Sequence, residues 1–242
     1  MLDTILLDLD GTLLKFSQEA FLNVYLAELK KVFVKLEMDT KLSIKALLDG
    51  TEAMIANDGS MLNAQRFWEK FATCLGLTDE RCKTVEAACN GFYANEFNIA
   101  KSVMEPNDIS NRLVKRLTTK GYNVVLATNP LFPDCAVTTR LDWIDLLPQD
   151  FKLITHYANS TYCKPNIEYY REVFAKIGKE PTQCLMAGNS PTDDMCVGSL
   201  GTETFLVTDY IENKTGVDIT AYRHGTLAEL ETYLEALPAI MR

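Results

Sequence analysis

Five short apolar runs limit what this chain can fold into: TILLDLDGTLL (4–14), NVVLATN (123–129), KLITHY (152–157), QCLMAGN (183–189) and TETFLVTD (202–209). Each has the composition of a buried strand, and segments of helical periodicity stand between the later ones. DISNRLVKRLTTKG (108–121) offers Asp108 or Ser110 as an N-cap and closes at Gly121. NIEYYREVFAKIG places Ile167, Tyr170, Val173 or Phe174, and Ile177 on one face and stops at Gly178. TLAELETYLEAL carries Leu227, Leu230, Leu234 and Leu237 on one stripe. Strands alternating with helices in this order predict a parallel sheet covered on both faces. The expected core is therefore a doubly wound α/β fold.

One stretch breaks the alternation. From about residue 17 to residue 99 the sequence contains no strand pattern, only helix-like pieces: QEAFLNVYLAELKKVFVK, KLSIKALLDGTEAMIA, NAQRFWEKFATCLG and DERCKTVEAACNGFYANEF. Breaks fall near Met38-Asp39, at NDGS (57–60) and at Gly76-Leu77-Thr78. Amphipathic helices joined by short loops predict a small bundle inserted after the first strand. The expected division is residues 1–16 and 100–242 as an α/β core, with 17–99 as a helical second domain. Within that block, residues 57–63 form a loop able to reach the core, and Trp68 and Phe71 read as packing between helices.

The formal net charge is -9 and no long Lys/Arg run occurs, which argues against nucleic acid or an anionic membrane surface as partner. No apolar stretch is long enough to span a bilayer, and Asp3, Asp8 and Asp10 interrupt the N-terminal apolar segment where a signal peptide would need continuity. The seven cysteines are odd in number, have no CxxC spacing and are accompanied by only two histidines. They read as buried or half-buried thiols in a reducing compartment, so the expected location is cytoplasmic.

Ligands of open parallel sheets bind beyond the carboxyl ends of the strands, and the polar residues of this chain gather there. Asp8, Asp10 and Thr12 close the first run, Thr128 and Asn129 the second, and Asn189, Ser190, Thr192, Asp193 and Asp194 the fourth. Lys164 follows the third run, with Pro165 opening the next helix. Asp8 and Asp10 stand one residue apart, and a strand continuing through them would turn both to one face. Two such carboxylates repel. The pair becomes useful when a cation lies between them, or when one is a nucleophile and the other an acid.

DLDGT at 8–12, TN at 128–129, KP at 164–165 and GNSPTDD at 188–194 resemble, in order and spacing, the four motifs of the haloacid dehalogenase superfamily of phosphohydrolases. The helical block at 17–99 is similar to the family's α-helical cap of the first type. The resemblance implies Mg²⁺-dependent hydrolysis of a small phosphorylated metabolite through an aspartyl-phosphate on Asp8. Asp10 would be the leaving-group acid, Thr128 and Lys164 would stabilise the phosphoryl group, and Gly11, Thr12 and Asn129 would help bind it. Asp8, Asp10, Asn189 and Asp193 would hold the metal. The fourth motif usually begins with a carboxylate, and here Asn189 stands in that place. The same residues suit a phosphomutase, or a weakly catalytic binding protein that keeps the fold. A dehalogenase is disfavoured, because that chemistry needs no leaving-group acid.

Overall fold

Every residue of β1 (Thr4–Leu7) is buried, so both faces of this strand have to be covered. Successive side chains point to opposite faces. Ile5 and Leu7 join the large apolar cluster on one side, and Leu6 joins a smaller one on the other with Val125, Tyr169, Val173 and Met186. The computed structural model describes residues 1–240. Six parallel strands form one sheet, β1 with β2 (Asn123–Leu126), β3 (Leu153–Ile154), β4 (Cys184–Gly188), β5 (Glu203–Val207) and β6 (His224–Gly225), in the order β3-β2-β1-β4-β5-β6. The order reverses at β1, which lies between β2 and β4. That is where a ligand crevice opens in a doubly wound sheet. The strands are shorter than the apolar runs suggested, and the two-residue β6 had no sequence signal.

Between β1 and β2 the chain forms α1 (Gln18–Lys35), α2 (Thr40–Ile55), α3 (Asn63–Leu75) and α4 (Asp79–Ala94). Their ends follow local chemistry. Ser17, Asp39 and Thr78 accept from the backbone N–H groups of Ala20, Leu42 and Arg81, and α3 ends at Gly76 in the left-handed region. A 3₁₀ run over Glu96–Val103 follows, and the Glu105 N–H bonds the Lys15 carbonyl at 2.8 Å, so the outgoing and returning chains lie side by side. The sheet is covered by α5 (Ile109–Thr119), α6 (Asp134–Asp142), α7 (Ile167–Ile177) and α8 (Leu227–Glu235). Asp108 does occupy the N-cap position of α5, but without a side-chain cap bond: the Asn107 side chain accepts from the Ile109 N–H instead, and the Ser110 hydroxyl donates to the Leu13 carbonyl. Nor does Pro165 open α7, which starts two residues later behind the Asn166 cap. Helix α6 was not anticipated from the sequence.

The loop at 57–63 does reach the sheet domain. The Asn63 N–H bonds the Ser160 carbonyl at 2.8 Å and the Ala64 N–H bonds the Tyr157 carbonyl at 2.9 Å. Arg66 braces this loop through Ser60 and Asp58, while Trp68 and Phe71 pack with Phe67. A second junction is aromatic: Phe97 lies 5.4 Å from Trp143 and 6.4 Å from Phe132, centroid to centroid. Cys74 is exposed, unlike the other six thiols, and none of the seven is in a disulfide.

One apolar cluster therefore runs from the sheet into the inserted helices. Phe97 is 1% exposed at that junction. Phe97→Ala is expected to lower unfolding free energy by about 3–5 kcal/mol. Urea denaturation followed by tryptophan fluorescence and by circular dichroism checks this, with coincident transitions expected for the two probes.

Candidate active site

Strand register brings the motifs together. Leu7 pairs with Leu126 of β2 and with Ala187 of β4, so the residues just beyond all three strands share one edge. The Asp8 N–H still bonds the Ala187 carbonyl at 2.9 Å, and the Ala127 N–H bonds Leu7 at 2.8 Å. Asp8 thus lies between the segments carrying Thr128 and Asn189. The strand does not continue through Asp10, as the sequence had suggested. It ends at Leu7, and residues 9–14 fold into a tight loop in which the Thr12 and Leu14 N–H groups both bond the Leu9 carbonyl. Gly11 makes the loop possible. Its φ is +77°, and a Cβ there would sit 2.2 Å from the Asn189 amide nitrogen.

Asp8, Asp10, Gly11, Thr128, Asn129, Lys164, Asn189 and Asp193 line one cleft of about 100 Å³. Thr12 is the exception among the expected residues. It stands behind Asp8, with its hydroxyl donating to Asp8 Oδ2 at 3.0 Å and standing 3.4 Å from Asn189 Oδ1. Asn129 accepts from the Lys164 N–H at 3.2 Å, tying two motifs together. The Thr128 carbonyl accepts from the hydroxyls of Thr155 and Tyr169, which fixes the β2 end.

The electrostatic centre is Lys164, 2% exposed, whose ammonium donates to Asp8 Oδ1 at 2.9 Å and Asp194 Oδ1 at 2.6 Å. Burial alone would push the Lys164 pKa down, but Asp194 and Asp8 carry it well above its ordinary value. Asp194 also accepts from the Ser190 N–H at 2.9 Å. Its close approach needs Gly188, where a Cβ would fall 2.2 Å from Asp194 Oδ2. Asp193 lines the same cleft as Asp194 but is only half-buried, with its carbonyl accepting from the Tyr170 hydroxyl.

Asn189 has a local reason to be an amide. Its Nδ2 donates to the Tyr210 carbonyl at 2.6 Å, a contact a carboxylate would turn into repulsion. That leaves Oδ1 on the side of Thr12 and Asp8. The donor set suits a hard divalent cation: the carboxylates of Asp8 and Asp193, the amide oxygen of Asn189 and the backbone carbonyl of Asp10 are all oxygen ligands. Among the described residues no three His, Cys, Asp or Glu side chains form a metal site by themselves. An ion here would therefore draw on amide and carbonyl oxygens and on water, as Mg²⁺ readily does.

Two residues escaped sequence reasoning. Arg140, fully buried on α6, pairs through Nη1 with Asp10 Oδ2, and its guanidinium stacks 4.4 Å from the Phe132 ring centroid. Its position, four residues after Ala136 and three after Val137, lies on the apolar stripe of a helix. An arginine on such a stripe was the available signal. Burial raises the Asp10 pKa, Arg140 opposes this, and Asp8 adds to it. Glu212 is the second: it lines the cleft, and burial raises its pKa.

A family profile for haloacid dehalogenase-like hydrolases matches residues 2–195, and the chain belongs to that family. Solved structures share the fold. A HAD phosphatase from Thermococcus onnurineus is 17% identical over 99% of this chain and 100% of that one, with a TM-score of 0.61. A predicted phosphoglycolate phosphatase from Haemophilus somnus 129pt is 17% identical over 96% and 97%, with a TM-score of 0.55. A HAD-hydrolase from Bacillus subtilis bound to magnesium is 20% identical over 96% and 98%, with a TM-score of 0.56. No curated protein sequence matches this one. The chain is thus a HAD-like hydrolase, and no helix among the described residues is long and apolar enough to cross a membrane.

Asp194→Ala leaves a buried ammonium with one partner instead of two. It is expected to lower stability by about 3–5 kcal/mol. The double variant Asp194→Leu/Lys164→Met should lose less than the sum of its single changes in urea denaturation, because it leaves only Asp8 without its ionic partner rather than adding a second stranded charge.

Proposed function

We propose that this hydrolase is a Mg²⁺-dependent phosphatase that cleaves a small phosphate monoester through an aspartyl-phosphate on Asp8. The observation that carries the reading is the shared cleft. A carboxylate held by a buried ammonium, a second carboxylate two residues on, and the hydroxyl-bearing Thr128 face one small volume. In the reaction, one carboxylate oxygen of Asp8 attacks phosphorus and the bond from phosphorus to the ester oxygen breaks. Asp10, protonated, gives its proton to the departing alkoxide. Asp10 then takes a proton from water as that water attacks phosphorus, the bond to Asp8 breaks, and orthophosphate leaves. The Lys164 ammonium offsets charge on Asp8 and the phosphoryl group together, and Thr128 with the Asn129 backbone N–H steadies the transferring oxygens.

Mg²⁺, when bound, screens the repulsion between the nucleophile and the phosphoryl oxygens. Asp8, the Asp10 carbonyl, Asn189 and Asp193 would hold it. Thr12 keeps the Asp8 carboxylate turned. Arg140 is a positioning residue that fixes Asp10. The four helices over 17–99 would form a cap over a core made of 1–16 and 100–242, supported by the adjacent crossing chains at Lys15 and Glu105. The free thiols favour the cytoplasm.

Asp8→Asn is expected to abolish phosphate release, since an amide is a far poorer nucleophile. In a single-turnover measurement of alcohol release, Asp10→Asn should slow the first step on alkyl phosphates by a factor of about 10²–10⁴, and much less on p-nitrophenyl phosphate, whose leaving group needs little protonation; the later hydrolysis slows for both. Equal losses in that first step would remove the acid role.

The pH profile tests Arg140. A protonated Asp10 is the competent acid, so turnover of alkyl phosphates falls as pH rises through its raised pKa. Arg140 holds that pKa down relative to burial alone. In Arg140→Met the alkaline limb should therefore move to higher pH. A purely structural role would lower activity without moving the limb.

A further inference from the structure

Above the cleft, between the inserted helices and the sheet, lies a second cavity of about 320 Å³. Asp10, Gln18, Leu131 and Phe132 line both spaces, so the two adjoin at the carboxylate proposed as leaving-group acid. Among the described residues, Asp10 is the only charged side chain lining the upper cavity; the neutral polar Gln18, Thr51 and Asn90 join a wall that is mostly aromatic and aliphatic, from α1 to α4, the segment 131–133 and Tyr157. Resting on the phosphatase reading, we infer that the leaving group enters this cavity and is apolar, so that the substrate is a phosphate monoester of an aryl or medium-chain alkyl alcohol.

Three observations carry the inference. First, most polar groups in the wall are engaged with their neighbours; among the described residues the Trp68 Nε1–H is the buried donor there without a partner, which leaves a place for one acceptor on the leaving group. The Tyr25 and Tyr93 hydroxyls bond each other at 2.8 Å, Thr51 donates to the Leu47 carbonyl at 2.9 Å, and Gln18 accepts from Lys214 at 3.2 Å. A hexose in this space would bury several hydroxyls, most of them left unpaired at a cost of about 1–3 kcal/mol each. An apolar group costs nothing of that kind and gains from leaving water. Second, the volume is about twice that of a cavity of roughly 150 Å³ that holds benzene, which fits two fused rings or a medium alkyl chain. Third, Leu22, Leu48 and Ile55, all lining the cavity, are 37%, 49% and 43% exposed, so its mouth is apolar where solvent begins. A chain longer than the cavity can leave through that mouth along apolar side chains.

The ester oxygen lies at the junction in this arrangement. Phosphorus is in the polar cleft, the carbon chain in the apolar cavity, and Asp10 beside the bond that breaks. Phe132, stacked on Arg140, forms part of the wall on both sides.

Binding is tested with non-hydrolysable alkylphosphonates from ethyl to octyl, with Mg²⁺ present, by titration calorimetry. Affinity should rise about fourfold for each added methylene until the cavity is full. Two variants probe the wall: Thr51→Trp fills the cavity, and Leu48→Glu charges its mouth at a half-exposed position that the core does not need. Both should flatten the dependence on chain length. In turnover, kcat/KM for octyl phosphate should exceed that for ethyl phosphate and for a hexose phosphate, and each variant should shrink the octyl-to-ethyl ratio. Affinity independent of chain length, or preference for the hexose phosphate, overturns the inference even if phosphate is released. A chain-length gradient in binding with no phosphate ester hydrolysed keeps the apolar cavity assignment and overturns the phosphatase reading instead.

Discussion

A buried ammonium can remain charged only beside anions that repay its lost hydration. Lys164 meets that condition with two, Asp8 and Asp194, contributed by the ends of β1 and β4. The rest of the site depends on this three-residue cluster. It ties the segment after β3 to the central strands, holds the Asp8 carboxylate in place, and requires Gly188 so that Asp194 can come close. Thr12 secures the other Asp8 oxygen. In the proposed reaction, a carboxylate fixed on both oxygens would reach its target without reorganising, which is the condition for electrostatic stabilisation to count in the transition state.

Asp10 answers to a different constraint. Its carboxylate pairs with Arg140, which belongs to α6 and stacks on Phe132. The two acids, one residue apart in sequence, thus have separate cationic partners. Separation of this kind lets neighbouring carboxylates do different work, as the proposed reaction requires of nucleophile and acid. Asp10 also marks the boundary between the polar cleft and the apolar cavity under the inserted helices. One side chain therefore connects the chemistry to whatever those helices admit.

The doubly wound sheet and the four inserted helices were legible in the sequence because both rest on periodicity and on breaks such as Met38-Asp39 and Gly76-Leu77-Thr78. So was the gathering of Asp8, Thr128, Lys164 and Asn189 in one cleft, since strand ends of a parallel sheet share an edge. Arg140 was not legible, because α6 is short and its partner lies 130 residues away in the chain. Nor was the division of labour between Asp193 and Asp194. Adjacent acids in a loop look alike until the backbone turns one inward. Asn189 looked like a departure from the family's pattern, and its reason is the carbonyl of Tyr210, 21 residues on, which no local rule identifies.

The most direct test of this account is where the phosphoryl group goes. Asp10→Asn protein, mixed with p-nitrophenyl phosphate and Mg²⁺ and quenched in acid, should accumulate one phosphoryl group on the peptide that contains Asp8. Mass spectrometry of the digest locates it, and Asp8→Asn should carry none. Phosphate release by Asp8→Asn at the unmodified rate, with no adduct on that peptide in either variant, would contradict the account.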